Sequence, residues 1–279
     1  MIRVFPAKTN CTPIDDMVYF DGPPLDYAGS DIVHVSCTFA WDRPKSEFLA
    51  KCWEAQGYRV TVGGPAYDDH GGEFVSGQYL AVGNVITSRG CNNKCWFCKT
   101  WRREGTIREL PIVDGYNILD SNLLQCSKEH IYAVFAMLDR QKRKAKFTGG
   151  LESLLLEDWH VEELCRLHTK PASIYLAYDT PDDYEPLVRA AKMLNEAGLN
   201  KSHVVSCYVL IGYPGDTIGD ARQRLEDVKK LNLTPYAMIY AGEKKSWRPL
   251  WKKLQREYCR PTIIHSKAVK EKQLLWTEQ

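Results

Sequence analysis

The sequence predicts an α/β fold built on parallel strands, and three observations carry that prediction. Short apolar segments alternate along the chain with helical patterns of about 10 to 15 residues. The 279 residues are 44% hydrophobic and 26% charged, as in a soluble protein with a sizeable buried core. No run of about 18 apolar residues occurs, so we expect no membrane-spanning helix.

Residues 1–80 predict a small N-terminal βαβ extension. Residues 1–30 are rich in Pro, Gly and Asp, which indicates an irregular lead-in. Strands are predicted at 31–39 and 58–62, and the helix between them, 44–57, opens at a proline and ends at a glycine. Its apolar residues at helical spacing are Phe48, Leu49, Cys52 and Trp53.

Residues 81–242 repeat a strand and then a helix. Strands are predicted at 82–87, 116–119, 145–147, 173–178, 204–211 and 235–240. Helices are predicted near 128–142, 157–167, 183–197 and 217–231. This order favours a partial (β/α)6 barrel over a closed eight-fold barrel, and in parallel barrels the chemistry gathers at the carboxyl ends of the strands.

Residues 243–279 form a basic C-terminal tail with a net charge of +6, whereas the remaining residues sum to −4. Trp247, Trp251 and Tyr258 are interleaved with its lysines and arginines. Such a segment either grips a phosphate backbone or forms a solvated amphipathic helix, and the sequence leaves both open. The N-terminus has no apolar signal-peptide core, so we expect a cytoplasmic protein.

Three of the ten cysteines lie close together in the stretch TSRGCNNKCWFC, residues 87–98. A zinc ribbon needs a second CxxC pair, which the chain does not contain, and residues 99–125 contain no histidine. Three thiolates from Cys91, Cys95 and Cys98 instead suit an iron–sulfur cluster with one iron left open. The seven scattered cysteines are interpreted as small buried hydrophobic residues.

The segment CNNKCWFC, placed after the first strand of a six-fold array, resembles the CxxxCxxC loop of the radical S-adenosylmethionine (SAM) superfamily. The resemblance implies that the three cysteines ligate a [4Fe–4S] cluster whose fourth iron chelates SAM. One electron, from a donor such as flavodoxin or ferredoxin, would cleave SAM to methionine and a 5′-deoxyadenosyl radical that abstracts a substrate hydrogen. Phe97 would then contact the adenine.

The same resemblance assigns SAM contacts to residues that follow the other strands. Where the family often has a GGEP-like segment, this chain has Asp120 and Asn122, both suited to accept from an ammonium group. The other candidate cofactor contacts are Gly149, Gly150, Glu152, Asp179, Gly212, Tyr213 and Pro214. Turns and helix caps are the alternative roles for these residues, and Asp182 and Asp183 are expected to begin a helix.

Tyr208, Tyr213 and Tyr240 are the candidate catalytic residues, with plain aromatic packing as the alternative. The N-terminal extension resembles half of a cobalamin-binding domain but is too short and lacks the DxHxxG pattern, so no cobalamin is expected. Methylthiotransferases carry a second N-terminal cluster. The irregular spacing of Cys11, Cys37 and Cys52 instead predicts a single cluster.

The substrate is less constrained than the chemistry. The arrangement resembles a compact group of radical SAM proteins of phage and bacterial origin, and the basic tail suits a nucleotide or nucleic-acid substrate. A small metabolite or peptide is the competing substrate class. A non-catalytic iron–sulfur or zinc binding module is the competing kind of protein, and the oligomeric state stays open.

Overall fold

The computed structural model describes residues 1–24, 32–69, 72–201, 204–240 and 249–259. The chain divides into two compact units. The first comprises Met1–Lys94 and Cys98–Ser121, and the second comprises Cys95–Phe97 and the chain from Asn122 onward. Within the described ranges, no helix combines the length and the apolar character needed to cross a lipid bilayer.

The first unit contains a sheet of four parallel strands in the order β2-β1-β3-β4. They are β1 (Ile2–Val4), β2 (Val18–Tyr19), β3 (Ile32–Ser36) and β4 (Arg59–Gly63). Within the described residues 1–24, the predicted irregular segment is observed except at β1 and β2, which the sequence did not predict. Strands of two or three residues are too short to show an alternating pattern, and it is their pairing with neighbouring strands that defines them.

Helix α1 (Arg43–Glu54) connects β3 to β4, so the predicted strand–helix–strand order is observed. Leu49 and Trp53 lie on its buried face and pack in one cluster with apolar side chains of β1 and β3. Phe48, which also has helical spacing, is 64% exposed. Ser46 and Ala50 occupy the buried face instead, because small residues let the helix approach the sheet closely.

Short elements complete the first unit. In chain order they are β5 (Asn84–Val85), β6 (Ser88–Arg89), α2 (Thr100–Glu104), β7 (Arg108–Glu109) and β8 (Asn117–Ile118). Strands β5 and β8 pair in parallel, whereas β6 and β7 form an antiparallel ribbon. The cysteine loop lies between β6 and α2.

The second unit contains four parallel strands in the order β12-β11-β10-β9. In chain order its elements are α3 (Lys128–Asp139), β9 (Lys146–Phe147), α4 (Asp158–Arg166), β10 (Ser173–Tyr178), α5 (Tyr184–Glu196), β11 (Val205–Ile211), α6 (Ile218–Lys230), β12 (Thr234–Ile239) and α7 (Pro249–Tyr258). These bounds follow the predicted alternation closely. The α/β class with parallel strands is thereby confirmed.

Side-chain caps determine where several of these helices begin. The Ser127 hydroxyl accepts the His130 N–H at 3.2 Å before α3, and the Thr217 hydroxyl accepts the Asp220 N–H at 3.1 Å before α6. Asp183 accepts the Thr180 N–H at 2.7 Å and ends the 3₁₀ turn that leads into α5. The prediction that Asp182 and Asp183 begin a helix is therefore confirmed.

The two faces of the second unit's sheet differ in burial. Helices α5 and α6 contact β10, β11 and β12, and one face, which includes Cys207 and Val209, is fully buried. Side chains alternate across a strand, so Tyr175, Tyr208 and Tyr236 lie on the opposite face, where they are half-buried. That second face carries most of the polar and aromatic side chains of the sheet.

Candidate functional site

The cysteine loop is anchored at its start to the turn that follows α2. The Cys91 N–H donates to the Gly105 carbonyl at 3.1 Å. Gly90 has a φ of +86°, and a Cβ at this position would lie 2.1 Å from the Thr106 carbonyl oxygen. Only glycine fits between the ribbon and that turn, so the backbone immediately before Cys91 is tightly constrained.

Glu104 holds the base of this loop and is not foreseen from the sequence. It is 8% exposed, and its carboxylate accepts from the Arg103 guanidinium at 2.7 Å and from the Gly90 N–H at 3.2 Å. Arg89 lies 3.9 Å from the same carboxylate. Burial lowers the pKa of the Arg89 guanidinium, while Glu104 raises it. In the sequence, Glu104 merely ends the polar run WRRE, which gives no sign of burial.

All ten cysteines lie in the described ranges, and all are thiols rather than disulfides. Cys91, Cys95 and Cys98 are each partly exposed, and the Cys98 sulfur accepts the Thr100 N–H at 3.4 Å. Among the described residues, no three His, Cys, Asp or Glu side chains are gathered into a metal-binding group. Cysteine thiolates are the donors that iron–sulfur clusters take, and the role of these three as cluster ligands stays a prediction.

Asp120 is buried behind the strand that leads to the loop. Its carboxylate accepts the Thr87 N–H and the Thr87 hydroxyl, both at 2.6 Å, and the Ser88 hydroxyl at 2.7 Å. Burial raises the pKa of Asp120 while these hydrogen bonds lower it. Asp120 thus connects the end of β8 to the segment that enters the cysteine loop, and its contact with the SAM ammonium stays a prediction.

Asn122 and Glu152 are brought together in the second unit, although they are far apart in sequence. The Asn122 amide donates to a Glu152 carboxylate oxygen at 2.6 Å, and the Gln125 amide reaches the same oxygen at 3.3 Å. The Glu152 carboxylate is therefore oriented by the Asn122 and Gln125 amides. An oriented carboxylate of this kind suits a cationic ligand group.

Gly149 and Gly150 follow β9 after one intervening residue, Thr148. Gly150 has a φ of +99°, which glycine adopts without strain, and the next N–H, that of Leu151, donates to the Tyr175 carbonyl at 2.8 Å. The pair therefore makes a turn at the carboxyl edge of the sheet. Its approach to a ligand stays a prediction.

Asp179 follows β10 and bonds to the neighbouring strand, because the Leu210 N–H donates to its carboxylate at 3.2 Å. Burial, reinforced by the nearby charge of Asp183, raises its pKa to about 7. The carboxyl group of Asp179 therefore changes charge near neutral pH, which is a property suited to a site that binds a cation or moves a proton.

A buried ion pair holds the turn that follows β11. Asp216 accepts the Gly212 N–H at 2.8 Å and the Arg224 guanidinium at 2.9 Å. Gly212 has a φ of +75°, and its Cβ position would lie 3.1 Å from the Trp251 indole. A side chain there would be strained by the positive φ and would press against the Trp251 ring of α7. Arg224 shares the buried face of α6 with Ala221, Leu225 and Val228. An arginine at an apolar position of the helical pattern is the sequence signal that could have identified it.

An aromatic cluster joins the loop residues 95–97 of the second unit to two strand ends. The Trp96 ring lies 5.3 Å from Phe97, 5.7 Å from Tyr213 and 5.6 Å from Tyr240, in edge-to-face geometry. Trp96 itself is 47% exposed, and Pro214 beside the cluster is also exposed. Three predicted site residues therefore share one neighbour that the sequence reading missed.

Comparison with protein-family models, with curated proteins and with solved structures finds no match in any of the three.

Tyr208 belongs to a row of tyrosines across three strands. Its ring stacks on Tyr175 at 4.5 Å and meets Tyr236 edge-on at 5.6 Å, and its hydroxyl donates to the Thr148 carbonyl at 3.1 Å. Burial raises the pKa of Tyr208 well above the ordinary value, so this phenol stays protonated. The row lines the half-buried face of the sheet, on the side away from Cys207 and Val209.

The basic tail contains a helix that is part of the second unit's core. Trp251 is 8% exposed and Tyr258 is 7% exposed, so these aromatic rings are not available to stack on bases. Lys252, Lys253 and Arg256 of the same helix are exposed. Trp247 and residues 260–279, which carry much of the predicted tail, lie outside the described residues.

Proposed function

We propose that the chain is a radical SAM enzyme. The observation that carries the proposal is the loop with Cys91, Cys95 and Cys98, spaced CxxxCxxC, in a chain of alternating parallel strands and helices. The proposal includes a partial (β/α)6 barrel, supported by two parallel strands in the first unit and four in the second. All ten cysteines being thiols, the three loop sulfurs are chemically competent ligands.

Several residues would act around such a centre, and the chain's own contacts suggest what they do. When bound, the cluster would supply the electron that cleaves SAM. Cys91, Cys95 and Cys98 would hold the cluster, and the buried Glu104 would keep the backbone before Cys91 rigid through its bond to Gly90.

The second unit supplies polar groups at the carboxyl edge of its sheet, where parallel α/β proteins place ligands. Glu152, oriented by Asn122, would accept from a cationic group such as the SAM ammonium. Trp96, Phe97 and Tyr213 present an aromatic edge suited to an adenine ring. The row at Tyr208 would face the substrate and exclude water from it.

The enzyme proposal is tested by anaerobic reconstitution with iron and sulfide, followed by dithionite and SAM. We expect about four irons per chain, as one [4Fe–4S] cluster requires, and formation of 5′-deoxyadenosine. We expect loss of the bound iron and of 5′-deoxyadenosine formation in each of three variants, Cys91→Ala, Cys95→Ala and Cys98→Ala. Cys165→Ala is the matched control, because Cys165 is exposed and lies outside the loop.

The outcomes separate the alternatives. An intact cluster without 5′-deoxyadenosine identifies a non-catalytic iron–sulfur module, and bound zinc without iron identifies a zinc module. Cleavage that persists in the three loop variants contradicts the assignment of the site. About eight irons per chain would revive the second cluster suggested by Cys11, Cys37 and Cys52.

We also propose a nucleotide or nucleic-acid substrate, supported by the exposed cations of α7 and by the net charge of residues 243–279. Binding to a single-stranded oligonucleotide should weaken steeply with salt. Deletion of residues 260–279 should weaken this binding. The deletion stops short of α7 because that helix carries buried core residues, whose loss would unfold the protein. Salt-independent or absent binding favours a small metabolite or peptide instead.

A further inference from the structure

The first unit contains a cavity at the point where its sheet changes direction. Strand β1 lies in the middle of the order β2-β1-β3-β4, so the chain leaves β1 toward one edge and leaves β3 toward the other. The connections after β1 and β3 therefore diverge, and parallel α/β sheets bind their ligands in such a crevice at the carboxyl ends of the strands.

A cavity of about 310 Å³ occupies this crevice. Residues after β1, including Phe5 and Ala7, form one wall, and residues at the end of β3, including Ser36 and Thr38, form the other. Tyr79 contributes a further side. The volume is within the range of small-molecule sites, which start at about 300 Å³.

Two hydroxyl groups at the cavity are left for a ligand to use. Ser36 is 8% exposed, and in the part of the chain that the structure describes neither Ser36 nor Thr38 makes a side-chain hydrogen bond to protein. Neither hydroxyl group has to give up a hydrogen bond to the described residues in order to bond a ligand in the cavity. This observation is independent of the strand order.

The charge at the cavity selects the kind of ligand. Among the described residues that line it, none is a lysine or an arginine, and Asp42 is the one acid. The walls from Phe5, Phe39 and Tyr79 are aromatic. A phosphate in this cavity would be repelled by the Asp42 carboxylate, and no described lining cation would offset the repulsion. A flat neutral ring with N–H groups could instead donate hydrogen bonds to the carboxylate and to both hydroxyl oxygens.

We infer that the first unit binds an uncharged nucleobase or nucleoside in this cavity. This inference does not depend on the cysteine loop, because its test measures nucleoside binding and not SAM cleavage. Loss of 5′-deoxyadenosine formation would therefore leave it intact, and failure of binding would leave the enzyme proposal intact.

The test uses the full-length chain and isothermal titration calorimetry with adenosine, guanosine, cytidine and thymidine. We expect at least one nucleoside to bind. Its 5′-monophosphate should bind about tenfold more weakly, which is a difference of about 1.4 kcal/mol in binding free energy. Asp42→Asn should narrow that difference, because it removes the repelling charge. Absence of binding by all four nucleosides overturns the inference, as does tighter binding of the monophosphate.

Variants locate the site. Ser36→Ala and Thr38→Val should each weaken the bound nucleoside about threefold to tenfold through loss of a hydrogen bond. Ser76→Ala is the matched control, because Ser76 is exposed and does not line the cavity. Ala7→Trp should fill the cavity and abolish nucleoside binding. If the Ala7, Ser36 and Thr38 variants fold and bind the nucleoside with unchanged affinity, the site does not lie in this cavity. Thr38 is exposed, so its variant keeps the test decisive if Ala7→Trp does not fold.

Discussion

Removal of the Asp120 carboxylate should destabilise the first unit and loosen the start of the cysteine loop. In Asp120→Ala three donors lose their acceptor: the Thr87 N–H, the Thr87 hydroxyl and the Ser88 hydroxyl. The hydroxyls can rotate to other partners, whereas the backbone N–H cannot and is buried with Thr87 at 0% exposure.

The magnitude follows from these three bonds. A hydrogen bond to a charged group contributes about 1.5–3 kcal/mol, and an orphaned buried N–H costs about 1–3 kcal/mol. Burial of the carboxylate opposes folding, as its raised pKa indicates, and its removal offsets part of the loss. We expect a decrease of about 2–4 kcal/mol in the free energy of unfolding for Asp120→Ala. Asp120→Asn keeps one acceptor oxygen, so its decrease should be about 1–2 kcal/mol.

The assay is urea denaturation followed by circular dichroism, with hydrogen exchange of residues 86–92 as the local readout. Asp16→Asn is the control, because Asp16 is exposed. Faster exchange at Thr87 in both Asp120 variants is expected. An Asp120→Ala protein within about 0.5 kcal/mol of the parent would refute the reasoning. Weaker SAM binding by Asp120→Asn at unchanged stability would instead support direct contact with the ammonium group.

Four further predictions concern other buried groups. Glu104→Gln should lower the free energy of unfolding by about 1–3 kcal/mol, because the hydrogen bonds from Arg103 and Gly90 lose their charged acceptor. Urea denaturation measures this change, and an unchanged free energy of unfolding contradicts the prediction. Arg224→Met should cost about 3–5 kcal/mol by leaving the Asp216 carboxylate buried and unpaired, and a second change of Asp216 to Leu should recover much of the loss. The pKa of about 7 at Asp179 is above the ordinary 3.8, so the folded state binds its proton more tightly and stability falls as pH rises from about 4 to about 7. The melting temperature of Asp179→Asn should therefore be close to that of the parent at about pH 4 and clearly above it at about pH 8, and the opposite order refutes the assignment. Trp251→Ala should lower the free energy of unfolding by about 3–5 kcal/mol, measured by calorimetry, because Trp251 is buried. An unchanged free energy of unfolding would show that Trp251 belongs to a detached tail.

Much of the framework was accessible from sequence because it depends on local patterns. The strand 173–178 is observed as Ser173–Tyr178, and the helices near 183–197 and 217–231 begin within two residues of their predicted starts. Long apolar runs and capping residues are features of neighbouring positions, so they can be read directly. Strands β1 and β2 escaped because short strands acquire their structure from pairing partners distant in the chain.

The chemistry-bearing residues divide in the same way. The sequence by itself determined the spacing of Cys91, Cys95 and Cys98, and with it the radical SAM proposal, because the ligands of a metal loop lie close together along the chain. Only the tertiary structure decided that Asp120 is turned toward Thr87, that Glu104 is buried beneath the loop, and that a cavity opens beside Ser36. Burial and hydrogen-bond partners depend on residues tens of positions apart, which no local pattern records.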